Sequence, residues 1–224
     1  MMNIKYSTLL FIGGFLVGCG GASDDGAQET NNLETAVEAP APSCTFALGE
    51  SATNVYWTAY KHTDKIGVKG KMDSVVVTGT EIGSDPLSVL ATGIIHIYTS
   101  SVNSKDEVRD KKLREIYFGS MANTEAIEGS LQSWAGSDSY GSCKLTLKMN
   151  DHEQEVSGKY TVSDNVVQIR FTMEPKNWGA DEAITKLGEA CAEKHTGKDG
   201  KTVFWPDVDL LVEVTLDKDC PDPA

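Results

Sequence analysis

The stretch Ser101–Gly119, SVNSKDEVRDKKLREIYFG, follows a run of alternating aliphatics, ATGIIHIYT, and then carries a charge at nearly every position. Its spacing predicts a short amphipathic helix. Ser104 and Glu107 stand at capping-box distance, S-x-x-E. Lys105, Asp106 and Glu107 would fill the first turn, and Gly119 would end the helix. Leu113, Ile116 and Tyr117 form an i, i+3, i+4 apolar face. Glu107 with Lys111, Asp110 with Arg114 and Lys111 with Glu115 are complementary at helical spacing. The charges are thus read as a solvated helix face laid on a sheet edge or barrel mouth, and not as a reactive cluster.

The sequence around this corner is dominated by strands. Period-2 alternation marks 55–60, 66–82 and the runs LATGIIHIYTSS, AIEGSLQSW, CKLTLKMN, EQEVSGKYTV and VVQIRFTME. The clearest is WPDVDLLVEVTL, where Val208, Leu210, Val212, Val214 and Leu216 share one face. Asn150-Asp151 reads as a tight hairpin turn between two such runs. A second helix is expected over Asp181–His195, with Ile184, Leu187, Ala190 and Cys191 on its inner face. Its first turn carries acids, its end carries Lys194 and His195 as dipole-compensating cations, and Gly197 offers a stop.

The N-terminal region has a different character. Residues 1–18 hold one charge, Lys5, and an apolar run from Leu9 to Val17, too short to span a bilayer and suited to an export signal. The run ends in Leu16-Val17-Gly18-Cys19, which resembles the lipobox of bacterial lipoproteins. That resemblance implies acylation of Cys19 and a chain held on the cell-envelope membrane facing the periplasm. Gly20 after the cysteine, by analogy with enterobacterial sorting, favours the outer membrane. Residues 19–43 hold five acids, no Lys or Arg and almost nothing large and apolar, so a disordered tether is expected. One domain, residues 44–224, follows.

The chain has 33 acidic and 20 basic residues and a net charge of −13. Nucleic acid is therefore excluded as a main partner, because phosphate binding needs a basic footprint. With Cys19 assigned to lipid, Cys44, Cys143, Cys191 and Cys220 remain, an even number in an exported chain. Three pairings are possible. The first and last strands of an even-stranded antiparallel barrel end on one rim, which favours Cys44–Cys220 and, by elimination, Cys143–Cys191. No CxxC pair supports a four-cysteine metal site.

Catalytic motifs are missing. The sequence contains no G-x-S-x-G elbow, P-loop, G-x-G-x-x-G helix start or H-E-x-x-H. His62, His96, His152 and His195 are scattered singly, and a hydrogen-bonded structural role is the default for His96. Asp207-Val208-Asp209 could place two carboxylates around a hard cation, but such a pair is more often the wet face of a strand. The loop GKDGK, Gly197–Lys201, could form an anion nest and reads better as a connecting turn. No enzyme activity, cofactor or metal is expected.

The order of these pieces resembles the YceI-like family, exported lipocalin-like barrels associated with polyisoprenoid or related amphiphilic lipids. The motifs that carry the resemblance are Ser101-Val102-Asn103-Ser104, Arg109-Asp110, Leu113 and Tyr117-Phe118-Gly119. VKGKMDSV around Gly70 and LTLKMNDHEQEV add to them. Met72 and Asn150 depart from the usual Phe and Gly. The resemblance implies a mainly β fold, an eight-stranded antiparallel lipocalin-like barrel with two short helices and an apolar cavity. It implies that Ile95 and Ile97 point inward with Gly93, as do Val208, Leu210, Val212 and Val214. An isoprenoid or other amphiphilic lipid is then the expected ligand, with Arg109 or Lys111 meeting its head group. A barrel with a side-chain-filled core, acting as a structural or interaction lipoprotein of the envelope, is the alternative.

Overall fold

The longest ladder pairs the first strand with the last. β1 (Thr45–Lys61) runs antiparallel to β10 (Phe204–Asp219), from Thr45 opposite Asp219 to Lys61 opposite Phe204. In its central register Val55 faces Val212, Trp57 faces Leu210 and Ala59 faces Val208, so both strands turn their apolar alternation to the same side. Cys44 and Cys220 lie just beyond the last pair and are joined by a disulfide, with Cα atoms 4.1 Å apart. The structure is a computed structural model that describes residues 43–221. The expected export signal, Cys19 and nearly all of the expected tether lie outside the described residues.

The other strands are β2 (Ile66–Met72), β3 (Val75–Thr78), β4 (Ile94–Tyr98), β5 (Val102–Asn103), β6 (Ala126–Gly136), β7 (Tyr140–Met149), β8 (His152–Ser163) and β9 (Val166–Met173). All pairings are antiparallel, and the sheet order is β3-β4-β6-β7-β8-β9-β10-β1-β2-β5. The mainly β, curled, lipocalin-like architecture is as expected, but the sheet has ten strands instead of eight. The extra two are short. The continuous strand expected over 66–82 breaks at Asp73-Ser74 into β2 and β3, and Val102–Asn103 adds two residues beside Met72 and Lys71. Gly70 lies inside β2 opposite Trp57. The hairpin at Asn150-Asp151 is as expected: both residues have positive φ, 51° and 58°, as a tight two-residue turn requires.

Among the described residues three α-helices accompany the sheet. α1 (Pro86–Ala91) was not foreseen, because Leu90 and Ala91 read as the start of a strand. Its start nevertheless has a sequence signature: the Asp85 side chain accepts from Leu87 N and Ser88 N, and Pro86 occupies the first turn. Leu87, Val89 and Leu90 are buried, and the helix closes the lower end of the curled sheet against β1, β6 and β9. There the antiparallel bridge between Phe46 and Gly83 brings the loop before α1 onto β1. α3 (Asp181–His195) lies at the upper end, as does α2 (Glu107–Lys112) with the turns that follow it.

The corner into α2 differs in detail from the expected capping box. Asp106 is the cap and accepts from Arg109 N at 3.1 Å. Asp110, only 3% exposed, reaches back to accept from Ser104 N at 2.9 Å and from Ser104 Oγ. Asn103 Oδ1 accepts from Lys105 N, and Lys105 takes a positive φ. Of the three expected helix ion pairs only Lys111–Glu115 forms, at 4.0 Å; Arg114 reaches back to Glu107 instead. The pairs rearrange because Asp110 faces inward and is spent on the corner.

Cys143 and Cys191 are free, which corrects the second expected disulfide. Cys143 is buried in the lower half of β7, opposite Trp134 and Gly158, whereas Cys191 rides on α3 at the upper end. Replacing Cys44 and Cys220 with serine is expected to lower stability to urea by about 2–5 kcal/mol, because their bond closes a loop with a sequence separation of 176. Reduction of the wild type should produce the same loss. Asp110→Ala strands the Ser104 amide and is expected to cost about 1–3 kcal/mol in the same urea titration.

Candidate functional site: an apolar cavity

Inside the curled sheet lies an apolar cavity of about 280 Å³, close to the lower end of the range for small-molecule sites. One wall is the β1–β10 ladder, with Val55, Trp57, Ala59, Leu210 and Val212. The facing wall comes from β4, β6, β7 and β9, including Ile95, Ile97, Leu147 and Phe171. Leu90 and Gly93 border it below. Pro175, Phe204 and Trp205 border it above.

Glycine keeps the middle of the far wall thin. Gly129 is paired with Ile95 on one side and Leu147 on the other, and an added Cβ would come within 2.9 Å of Ile95 Cγ2 and 3.0 Å of Leu147 Cδ2. Gly70 does the same beneath Trp57: a Cβ there would meet Trp57 Cζ2 at 2.3 Å. The indole therefore lies across the β2 backbone. Its N–H is buried with no acceptor among the described residues.

The cap of the cavity is built by an irregular helix. After α2 the chain makes a π-helical turn, Leu113–Tyr117, and then a 3₁₀ turn, Phe118–Ser120. The wider turn puts Leu113, Tyr117 and Phe118 on the cavity, whereas regular α spacing had pointed to Leu113, Ile116 and Tyr117. Such widened turns are rare and often accompany functional sites. α3 packs on this segment and contributes Ile184 and Leu187 from its apolar face, with His195 from its last turn. Cys191 is not among the lining residues.

His195 is not the cation that its position at a helix end had suggested. Its ring stacks on Phe204 with centroids 3.9 Å apart, and Nδ1–H donates to the Val203 carbonyl at 3.4 Å. Burial holds its pKa below the ordinary histidine value, the Val203 bond opposes this, and the nearby Lys61 and His62 lower it further. Tyr117, in contrast, makes no hydrogen bond among the described residues, and burial alone pushes its phenol well above the usual range.

Ile95, Ile97, Gly93, Val208, Leu210, Val212 and Val214, assigned inward by resemblance, all border this cavity. Arg109 does not: it pairs with Asp106 at 3.1 Å on the outside of α2. Lys111 is exposed and faces Glu115. Neither cation expected at the head group therefore lies on the cavity, and the inward position at this corner belongs to Asp110. The outer-face groups are also structural. Asp207 pairs with Lys65, and Asp209 accepts from Tyr60 Oη and Thr172 Oγ1. His96 contacts Thr78 Oγ1, and Gly197–Lys201 is a closed turn. Among the described residues no group of three or more His, Cys, Asp or Glu could hold a metal ion. The cavity residues missed from the sequence are chiefly Trp57, Tyr117 and Phe118 in function and Leu90 in structure. The pairing of Trp57 with Gly70 was a signal within reach, as a large aromatic opposite a glycine in a ladder.

No family model matches the sequence, and a search of curated proteins finds no match. Solved structures do match. A polyisoprenoid binding domain from Saccharophagus degradans, implicated in plant cell wall breakdown, aligns with a TM-score of 0.51 at 13% identity, over 80% of this chain and 99% of its own. BcnA of Burkholderia cenocepacia aligns with a TM-score of 0.52 at 10% identity, over 74% and 96%. A Campylobacter jejuni YCEI protein aligns at 0.49 with 14% identity, over 73% and 90%. The class is a lipocalin-like curled β-barrel. Within that class the chain has the YceI-like fold.

The depressed pKa of His195 has a consequence for stability. The unfolded chain binds a proton near pH 6.5, while the folded ring resists it, so stability falls as pH drops below that value. Urea unfolding between about pH 7.5 and pH 5 should show a smaller acid-dependent loss in His195→Phe than in the wild type. Equal slopes would remove burial of the neutral ring as the cause.

Proposed function

We propose that this protein binds a long apolar or isoprenoid-type lipid inside the barrel and carries or stores it at the bacterial envelope. The observation that carries the reading is the cavity itself: about 280 Å³ bounded by β-branched, aliphatic and aromatic side chains from both walls of the sheet. An apolar void costs a fold the contacts its lining would otherwise make. An occupant with the same chemistry restores those contacts, at about 25 cal/mol for each Å² of apolar surface withdrawn from water. The shared fold with a domain described as polyisoprenoid binding supports the same ligand class. The role is binding rather than catalysis, since the lining offers no nucleophile–base pair.

The anchored part of the proposal rests on the sequence. Leu16-Val17-Gly18-Cys19 supports acylation of Cys19 and a chain facing the periplasm, Gly20 favours the outer membrane, and the acidic segment supports a tether to the domain. Ligand and anchor then belong to one function, in which the barrel works close to a bilayer that supplies or receives its cargo.

The test is the full chain purified from its own host, extracted with solvent and weighed intact by native mass spectrometry. A copurifying lipid of defined mass is the expected result. Leu210→Trp, which places an indole in the cavity, should lower the lipid-bound fraction at least tenfold and leave the fold intact by circular dichroism. Protein free of lipid in both forms would overturn the proposal and favour a structural role on the barrel exterior.

A further inference from the structure

The polar groups on the cavity wall are few, and nearly all of them are engaged. Six lining residues carry an N–H or O–H on the side chain: Trp57, Tyr60, Tyr117, Ser130, His195 and Trp205. Tyr60 donates to Asp209, Trp205 Nε1 donates to the His62 carbonyl and His195 Nδ1–H donates to Val203, while Ser130 Oγ accepts from Gln132 and, by strand alternation, lies on the opposite face of β6 from Gly129 and Leu131. The Trp57 N–H has no partner, but it is closed off from solvent against the wall. Tyr117 is left. Its hydroxyl has no partner among the described residues, and the residue keeps accessible surface although its surroundings are dry enough to push the phenol upward by desolvation alone. Both observations hold together if the surface it retains is the surface it presents to the cavity it lines.

A hydroxyl that faces a dry cavity without a partner forgoes a bond worth about 0.5–1.5 kcal/mol. Phenylalanine would fill the same place without that cost. The lining, moreover, includes no Lys, Arg, Asp or Glu. The cations closest in sequence to Tyr117 are committed elsewhere: Arg114 to Glu107 and the Val102 carbonyl, and Lys112 Nζ to the Ala190 carbonyl. A phosphate or carboxylate drawn into this space would lose its hydration with no counter-charge to replace it.

We infer that Tyr117 is the hydrogen-bonding contact for the ligand's polar end, and that this end is uncharged, of the alcohol, ester or ketone class, and not a phosphate. The inference rests on the lipid-binding reading above and sharpens it. The phenol can donate to a carbonyl or ether oxygen, and can both donate to and accept from a hydroxyl. The π-helical turn gives the site its geometry, because it brings Tyr117 to the cavity beside Phe118 and Leu113.

Three probes of one chain length separate the possibilities: farnesol, farnesyl phosphate and the hydrocarbon pentadecane, each displacing bound N-phenyl-1-naphthylamine. Farnesol is expected to bind wild-type protein at least tenfold more tightly than farnesyl phosphate. Tyr117→Phe should weaken farnesol about 5- to 50-fold and leave pentadecane unchanged, with a thermal midpoint no lower than that of the wild type. Tighter binding of the phosphate, or a Tyr117→Phe effect equal for farnesol and pentadecane, would overturn the head-group inference and leave the cavity reading standing. Failure of the naphthylamine and all three probes to bind would overturn the cavity reading and, with it, this inference.

Discussion

The hydrogen bonds from Ser104 N and Ser104 Oγ to the buried Asp110 carboxylate decide where the chain goes after the sheet. β5 holds only two residues and cannot direct a helix by itself. The carboxylate grips the backbone just beyond β5 from one turn inside α2, so strand and helix meet at a fixed angle. Everything above the cavity follows from that angle: the π-helical turn, the inward placement of Leu113, Tyr117 and Phe118, and the surface on which α3 packs. An acid buried to 3% exposure at such a place is costly unless its lone pairs are used, and here both oxygens face donors. The corner is therefore set by hydrogen bonding, whereas the barrel wall is set by alternation.

That difference explains what could be read in the sequence. The wall was legible because period-2 alternation put Val208, Leu210, Val212 and Val214 on one face, and the resemblance turned that face inward. The Cys44–Cys220 bond followed from the meeting of first and last strands. The cap was less legible. Ser104 and Glu107 have the spacing of a capping box, yet the cap is Asp106, because Asp110 claims the Ser104 hydroxyl from inside the domain. Regular helical spacing put Ile116 on the apolar face, whereas the π turn puts Phe118 there. His195 looked like a cation for a helix end, but the fold brings Phe204, at the start of β10, back over its ring. Each miss comes from a tertiary contact overriding a local rule. The proposed Cys143–Cys191 bond failed for a simpler reason: elimination among cysteines carries no information about which end of a barrel a helix covers.

A barrel of this size can be filled by its own side chains, so the hollow needs its own explanation. It lies in the small residues set among large ones. Gly129 stands between Ile95 and Leu147, Ala59 opposite Val208, and Gly93 at the lower edge. Gly70 lets the Trp57 ring sink against β2 instead of spanning the interior. Lower down, the same β10 face passes into a sealed core: Val214, 3% exposed, still borders the cavity, and Leu216, 1% exposed, packs among α1 and the lower strands. Val208, Leu210 and Val212, higher on that face, remain half-buried because they border the cavity. One alternating strand thus serves as core at one end and as cavity wall at the other.

Charge is partitioned just as sharply. The chain as a whole carries −13, yet its cavity lining contains no formally charged Asp, Glu, Lys or Arg. At the upper edge the two regimes meet in amphipathic side chains. Lys65 Nζ lies 4.7 Å from the Tyr60 ring centroid and 4.9 Å from that of Trp205 while pairing with Asp207. Tyr60 and Trp205 both line the cavity with their rings and hand their polar atoms outward, to Asp209 and to the His62 carbonyl. Aromatic rings that are apolar inward and bonded outward form a boundary that a hydrocarbon chain can cross without stripping any protein hydrogen bond. On the proposed function, that boundary excludes charge by the absence of a counter-charge within, and the Tyr117 hydroxyl is the polar contact offered to a neutral guest after it passes.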